Sequence, residues 1–268
     1  MVLFDYSREP RSDIAFVDMK SFYASCECIA LGLDPLKTSL CVMSRIENSA
    51  GLILAATPLF KKNFGSQNVS RSYNLPFDVH TRKFNYAAAR KQGLPITADY
   101  VRFIEDAAQK TLLVPPRMNY YIQKNMEIQK IFQDFAAPDD IFPYSIDEGF
   151  LDLTSSINYF IPDQTLDRRT KLDLLAARIQ QAIWKKTGIY ASIGLSNANP
   201  LLAKLALDIE AKHTKKMRVN WSYEDVPSKV WTIPTMTDFW GIGHRTATRL
   251  KKLGIHSIYD LAHFNPDI

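Results

Sequence analysis

Residues 144–153 read YSIDEGFLDL. Most of the stretch is apolar or small and has the character of a buried strand pair, yet Asp147 and Glu148 stand side by side in its middle. Burying ionised carboxylates is costly unless something pairs with them, and adjacent acids repel, which raises one pKa. Three arrangements relieve this: a basic partner, a proton or a divalent cation. From Ile141 to Thr154 there is no Lys, Arg or His, so a basic partner would have to come from another segment. Pro143 fits only the start or edge of a strand. The stretch therefore predicts strand, tight turn near Asp147–Gly149, strand.

A third acid has a similar setting upstream. Residues 13–18, DIAFVD, predict a strand ending at Asp18. If that strand pairs beside the hairpin, Asp18 meets Asp147 and Glu148, and three acids at strand ends form an all-oxygen site of the kind Mg²⁺ favours. Two such ions ~3.5–4 Å apart can activate an attacking oxygen and hold a leaving one. The plainer alternative has Asp18 capping the next helix and Asp147 making a turn. Spacing alone leaves both open.

The remaining chain predicts an α+β fold, with a mixed or antiparallel sheet and helices on one face. Ser21 is placed to cap a helix to about Leu31. LCVM (40–43) and LILAA (52–56) read as strands joined by a polar turn containing Asn48 and Gly51. Thr57-Pro58 opens a short helix that Gly65 ends. Small helices and one strand near Thr111–Val114 fill residues 66–117. Helices follow at about 119–135 and 166–187, a strand at Tyr190–Leu195, and a helix opened by Asn199-Pro200. Beyond Lys216 only short helices are expected, with a boundary at Thr232–Pro234.

Composition sets the class. Of 268 residues 46% are hydrophobic and 23% charged, enough for a soluble core. No apolar run reaches the ~18 residues of a membrane span, and MVLFDYSREPRS lacks the form of a signal peptide, so an intracellular protein is expected. Cys26, Cys28 and Cys41 are too few and too oddly numbered for a disulfide framework and read as packing. The net charge of +5 fits a polyanionic partner weakly. Its placement says more: Lys212, Lys215, Lys216 and Arg218 form one basic cluster, and His244, Arg245, Arg249, Lys251 and Lys252 another. Both lie near turns and suggest phosphate contact.

Taken together, VDMKSFYASCE (17–27) and YSIDEGFLDLT (144–154) resemble the Y-family, translesion DNA polymerases, with wording most like the UmuC branch. GLSNANPLLAKLALD (194–208) resembles that family's next block, and DFWGIGHRTATRLKKLGIHSIYDLA (238–262) its thumb helix-hairpin-helix. The resemblance implies a palm from residues 1–34 and 91–230, small fingers at 35–90 and an all-α thumb at 231–268. It gives Asp18, Asp147 and Glu148 catalytic roles, with these three and the Met19 carbonyl as ligands of two Mg²⁺ ions. Tyr23 becomes the gate against ribose beside Phe22. Lys62 and Lys204 contact the incoming nucleotide, and Gly241, Gly243, Arg245 and Arg249 contact DNA phosphates without reading sequence. Without the resemblance Lys204 reads as a solvent-facing lysine and Phe22 as a core aromatic.

One departure stands out. Many members carry Tyr and Arg three residues apart in the fingers, where this chain, aligned on Phe64-Gly65, has Leu59 and Lys62. Lys62 still neutralises a phosphate but lacks the arginine fork, which puts nucleotide affinity in question. The family's little-finger domain is expected to be absent, since residue 268 follows closely on the thumb. The function implied is error-prone, template-directed DNA synthesis across damage in an SOS-type response. Primer-template DNA and deoxynucleoside triphosphates are the substrates. A sliding clamp or other recruitment factor would bind beyond this terminus, and the setting is the bacterial cytoplasm at the nucleoid. The alternatives are a non-catalytic, polymerase-like DNA-binding accessory subunit and a palm-fold nucleotide cyclase. Retention of the three acids counts against the first, and the helix-hairpin-helix wording against the second.

Overall fold

The computed structural model describes residues 5–45, 50–65 and 70–265. In chain order the elements are β1 (Ile14–Met19), α1 (Phe22–Ala30), β2 (Leu40–Met43), β3 (Ile53–Ala56), α2 (Pro58–Phe64), α3 (Tyr86–Gln92) and α4 (Ala98–Gln109). Then come β4 (Leu112–Val114), α5 (Met118–Phe132), β5 (Ile141–Pro143), β6 (Glu148–Asp152), α6 (Ile157–Phe160) and α7 (Arg168–Thr187). The chain closes with β7 (Ala191–Ser196), α8 (Pro200–Ile209), β8 (Arg218–Asn220), α9 (His244–Lys252) and α10 (Ile258–His263). It packs as two units, one of residues 1–18, 129–183 and 191–268, the other of residues 19–128 and 184–190.

The first unit is built on a five-stranded sheet of order β5-β6-β1-β7-β8. β1 runs antiparallel to β6, and β7 parallel to β8, so the sheet is mixed. Alternation along β1 puts Ile14, Phe16 and Asp18 on one face. Ile14 and Phe16 are buried against Ala203, Leu207 and Ala211, so α8 covers part of that face. The approach is close: a Cβ on Gly194 of β7 would fall 2.4 Å from the Leu207 nitrogen. Only glycine lets α8 come this near, and that nearness brings the polar side of α8 to the ends of β1 and β6. α7 buries Leu172, Leu175, Ile179 and Ile183, the three-and-four spacing read from the sequence.

A further apolar cluster joins Leu202, Leu205 and Ala206 of α8 to Trp221, Val230, Met236, Ala247, Ile255 and Ile258. Packing therefore runs through Thr232–Pro234 without a break. The segment after Lys216 is also not purely helical, because Arg218–Asn220 adds β8 beside β7. Three residues are too few to show a period, and the sequence hides them.

The second unit holds a three-stranded sheet of order β3-β2-β4. β3 is antiparallel and β4 parallel to β2. Pairing with β2 draws β4 into this unit, which extends through residue 128. Thr57 caps α2 through its hydroxyl, which accepts from Phe60 N–H, and Pro58 occupies the first turn, as the dipeptide suggests. Ser21 precedes α1 but does not cap it through its side chain; its φ of 51° is left-handed instead. The expected turn residue Asn48 lies outside the described residues. All three cysteines are free and buried. Burial pushes the thiols of Cys26 and Cys41 up to about 12 and that of Cys28 to about 11, the behaviour of packing residues. Among the described residues no helix is long and apolar enough to cross a membrane.

Candidate active site

The register of β1 on β6 makes Asp18 and Glu148 direct cross-strand partners. The turn comes earlier than expected, at residues 144–147, so Glu148 and Gly149 already belong to β6. Gly149 sits where a Cβ would lie 3.1 Å from the Phe142 carbonyl oxygen of β5, which keeps the hairpin tight. Asp147 is the last turn residue, and its carboxylate accepts from Ser145 Oγ at 3.0 Å. The structure thus puts two of the three predicted acids in contact and the third beside them on the turn.

Basic partners do come from another segment. Lys204 Nζ of α8 lies 2.8 Å from Glu148 Oε1 and 3.1 Å from Asp208 Oδ2. Lys212 Nζ lies 3.1 Å from Asp18 Oδ2, 3.6 Å from Glu148 Oε1 and 2.9 Å from Asp208 Oδ1. The solvent-facing reading of Lys204 is overturned: it is 5% exposed, and its ammonium is 5.0 Å from the Phe16 ring centroid. Lys212 also leaves the basic surface cluster to which the sequence assigned it, and Arg218 pairs with Asp173 at 2.8 Å. Lys215 and Lys216 stay exposed.

Asp208 and Lys212 are the site residues that sequence reasoning missed. The signal was Lys204-x₃-Asp208, one step of four on a single helical face, with Lys212 following in the short 3-10 turn Ala211–His213 just past the helix end.

The electrostatics follow from this crowding. Burial, and then the neighbouring Glu148, outweigh Lys212 and raise the Asp18 carboxyl to about 7. Burial also raises Asp147. Glu148 is pushed up by burial, but the Asp18 hydrogen bond and the two lysines more than offset that and hold it below its ordinary value. Burial would lower Lys212; Asp18 and Asp208 raise it instead. Two ammonium groups thus face four carboxylates. Fully ionised, four negative charges against two positive leave two uncompensated.

Among the described residues no three His, Cys, Asp or Glu side chains gather closely enough to hold a metal ion as they stand, and Lys212 bridges Asp18 and Glu148. The donor chemistry nevertheless suits a hard divalent cation: carboxylate oxygens from Asp18, Asp147 and Glu148, with negative charge in excess.

The impB/mucB/samB family matches residues 78–208, and that family's helix-hairpin-helix motif matches residues 223–255. The DNA repair protein homolog YozK of Bacillus subtilis (strain 168) is 33% identical over 143 residues, 98% of its length. The chain belongs to the impB/mucB/samB family. It is 34% identical to UvrX of Bacillus subtilis (strain 168), named for UV-damage repair, across 98% of this chain and 52% of that one. To DNA polymerase IV 2 of the same organism it is 30% identical, across 95% and 51%. The chain spans about half the length of these curated relatives. A chimeric Y-family DNA polymerase matches with TM-score 0.65 at 21% identity, covering 94% of this chain and 61% of the other. An insertion ternary complex of Dbh DNA polymerase matches with 0.64 at 24%, with the same coverage. The fold is that of the Y-family polymerases.

The family's other motif residues stand as follows. Met19, buried, ends β1 next to Asp18. Phe22 is 2% exposed, a core aromatic as its physical reading held, and Tyr23 is half-buried. Lys62 is exposed on α2, and Leu59 lines a cavity of about 570 Å³ with Asn63, Phe103 and Asp106. In the helix-hairpin-helix, Gly241 has φ +91°, which a side chain would strain, and Gly243 caps α9. Ala247 faces the core while Arg245 and Arg249 are exposed, so the basic side of α9 is turned to solvent.

Proposed function

We propose that the chain catalyses template-directed DNA synthesis on a primer, including synthesis across damaged bases in an SOS-type response. The observation that carries this reading is the pairing of Asp18 with Glu148 across β1 and β6, with Asp147 adjacent and negative charge in excess. Asp18, Asp147 and Glu148, with the Met19 carbonyl, would hold two Mg²⁺ ions. Bound there, such ions supply charge neutralisation for the triphosphate and a more acidic primer 3′-hydroxyl.

The residues of the chain do the rest. The primer 3′-hydroxyl gives its proton to water as its oxygen bonds to the α-phosphorus, while the bond from that phosphorus to the bridging oxygen breaks and pyrophosphate leaves. Lys204, pinned by Glu148 and Asp208, keeps the Glu148 carboxylate in place. Lys212 is the more exposed lysine, at 31%. With the acids neutralised by such ions, the Lys212 ammonium would serve the triphosphate, the role the resemblance gave Lys204. Tyr23, beside Phe22, closes the space under the sugar against a 2′-hydroxyl, and Lys62 neutralises a phosphate as a point charge. Gly241 and Gly243 let the thumb backbone approach DNA, and Arg245 and Arg249 hold its phosphates. Residues 1–34 and 91–230 serve as palm, 35–90 as fingers and 231–268 as thumb. A clamp or similar recruiter would bring the protein to its substrate at the bacterial nucleoid.

A second reading, a DNA-binding accessory subunit without catalysis, is favoured by the two lysines that already pair the acids. Primer extension with Mg²⁺ and deoxynucleotides separates the two. Extension that Asp147→Ala abolishes supports synthesis; duplex binding with no extension supports the accessory role.

A further inference from the structure

Tyr23 does not stand by itself. Its ring stacks on that of Tyr121, centroids 4.5 Å apart and planes 13° from parallel. Tyr121 is fully buried, and its hydroxyl donates to Glu27 Oε1 at 2.7 Å. Glu27 is also buried and accepts three bonds from Arg117: Nε to Oε1 at 3.0 Å, Nε to Oε2 at 3.1 Å and Nη2 to Oε2 at 2.7 Å. The Arg117 guanidinium in turn lies 4.5 Å from the Tyr120 ring centroid.

Tyr23 and Glu27 are four residues apart on α1, and Arg117 and Tyr121 are four apart at the start of α5. Each pair shares one helical face, so two helices close a four-cornered network. Glu27 is clamped by a bidentate arginine, which fixes the plane of its carboxylate. That fixes the Tyr121 hydroxyl, and a ring held at both its hydroxyl and its face cannot tilt. Simple core packing would need only an apolar side chain at 121; the buried hydroxyl bonded to a buried carboxylate specifies an orientation as well.

We propose that Tyr121, anchored by Glu27 and Arg117, is a positioning residue for sugar discrimination: it sets the plane of Tyr23. The inference rests on the reading of Tyr23 as the gate. A gate discriminates by a clash with one oxygen atom, so a shift of about half an ångström in its ring is enough to weaken it.

The test measures insertion of dCTP and rCTP opposite template dG, as the ratio of kcat/KM values, in the parent, Tyr23→Ala, Tyr121→Phe and Tyr121→Leu. Tyr23→Ala should relax the ratio most. Tyr121→Leu, which removes the stack and the hydroxyl, should relax it by about three- to tenfold, the range an aromatic pair is worth. Tyr121→Phe, which keeps the ring, should relax it by less. A parent-like ratio in Tyr23→Ala overturns the gate reading. A relaxed ratio there with parent-like ratios in both Tyr121 variants overturns only the positioning role. Crystal structures of the parent and Tyr121→Phe add a readout independent of primer extension: the Tyr23 ring should lose its fixed plane, and an unmoved, equally ordered ring would overturn the inference.

Discussion

Two carboxylate settings, one in each unit, teach opposite lessons: Glu27 is buried, and the acids around Asp18 are half-buried. Glu27 has one guanidinium and one hydroxyl, every partner within 3.1 Å, and its charge is matched. The acids around Asp18 have two ammonium groups for four carboxylates, and one acid is raised to about 7. A matched carboxylate holds a structure in place. An unmatched cluster keeps negative charge in excess, a condition that lowers stability and that a cationic ligand relieves.

The sharpest way to break this comparison is Asp18→Asn. If the cluster is kept for chemistry, primer extension should fall by about 10⁴-fold, the scale of losing one member of a catalytic set. The metal-free protein should melt at a higher temperature than the parent. Equal activity, or a lower melting point, would make Asp18 a structural acid like Glu27. Next in size is Arg117→Ala. It leaves the Glu27 charge buried with one hydroxyl partner, and denaturant unfolding should show a loss of about 3 kcal/mol, the low end for breaking a buried pair. A loss below 1 kcal/mol would mean that Glu27 is not the matched setting described.

Gly194→Ala probes what brings the lysines to the acids. Its Cβ would collide with the α8 backbone, and overpacking of this kind costs about 1–3 kcal/mol. Displacing α8 should also loosen the Lys204–Glu148 contact, visible as a changed Glu148 titration. Asp18 also makes stability depend on pH. Between the ordinary 3.8 of an aspartate and about 7, folded Asp18 keeps a proton that the unfolded chain has lost. Folding then binds more protons, so stability should fall as pH rises through that window and level off above it. A calorimetric series on metal-free protein should show the melting point dropping across that window, with Asp18→Asn lacking that part of the slope.

How far the sequence revealed this depends on the distance over which each signal acts. The strand ending at Asp18, the hairpin after Pro143 and the helix around Leu172–Ile183 are local patterns, and each formed. The turn was misplaced by a few residues because Gly149 reads as a turn residue, whereas its lack of a side chain serves close packing on Phe142. Lys204 was read as exposed because nothing within its own helix reveals that Gly194 lets that helix sink onto the sheet. The support of Tyr23 by Tyr121 joins residues 98 positions apart, and no periodicity reports a contact of that kind.

The antiparallel register of β1 on β6 has a consequence for how such a chain can vary. The same five pairings that bury Ala15 and Leu151 set Asp18 opposite Glu148. A single-residue insertion within either strand would turn every following side chain to the reverse face, exchanging acids for core residues. Hydrophobic order and chemistry are thus encoded by one alignment of two strands, and loops alone are left to change length.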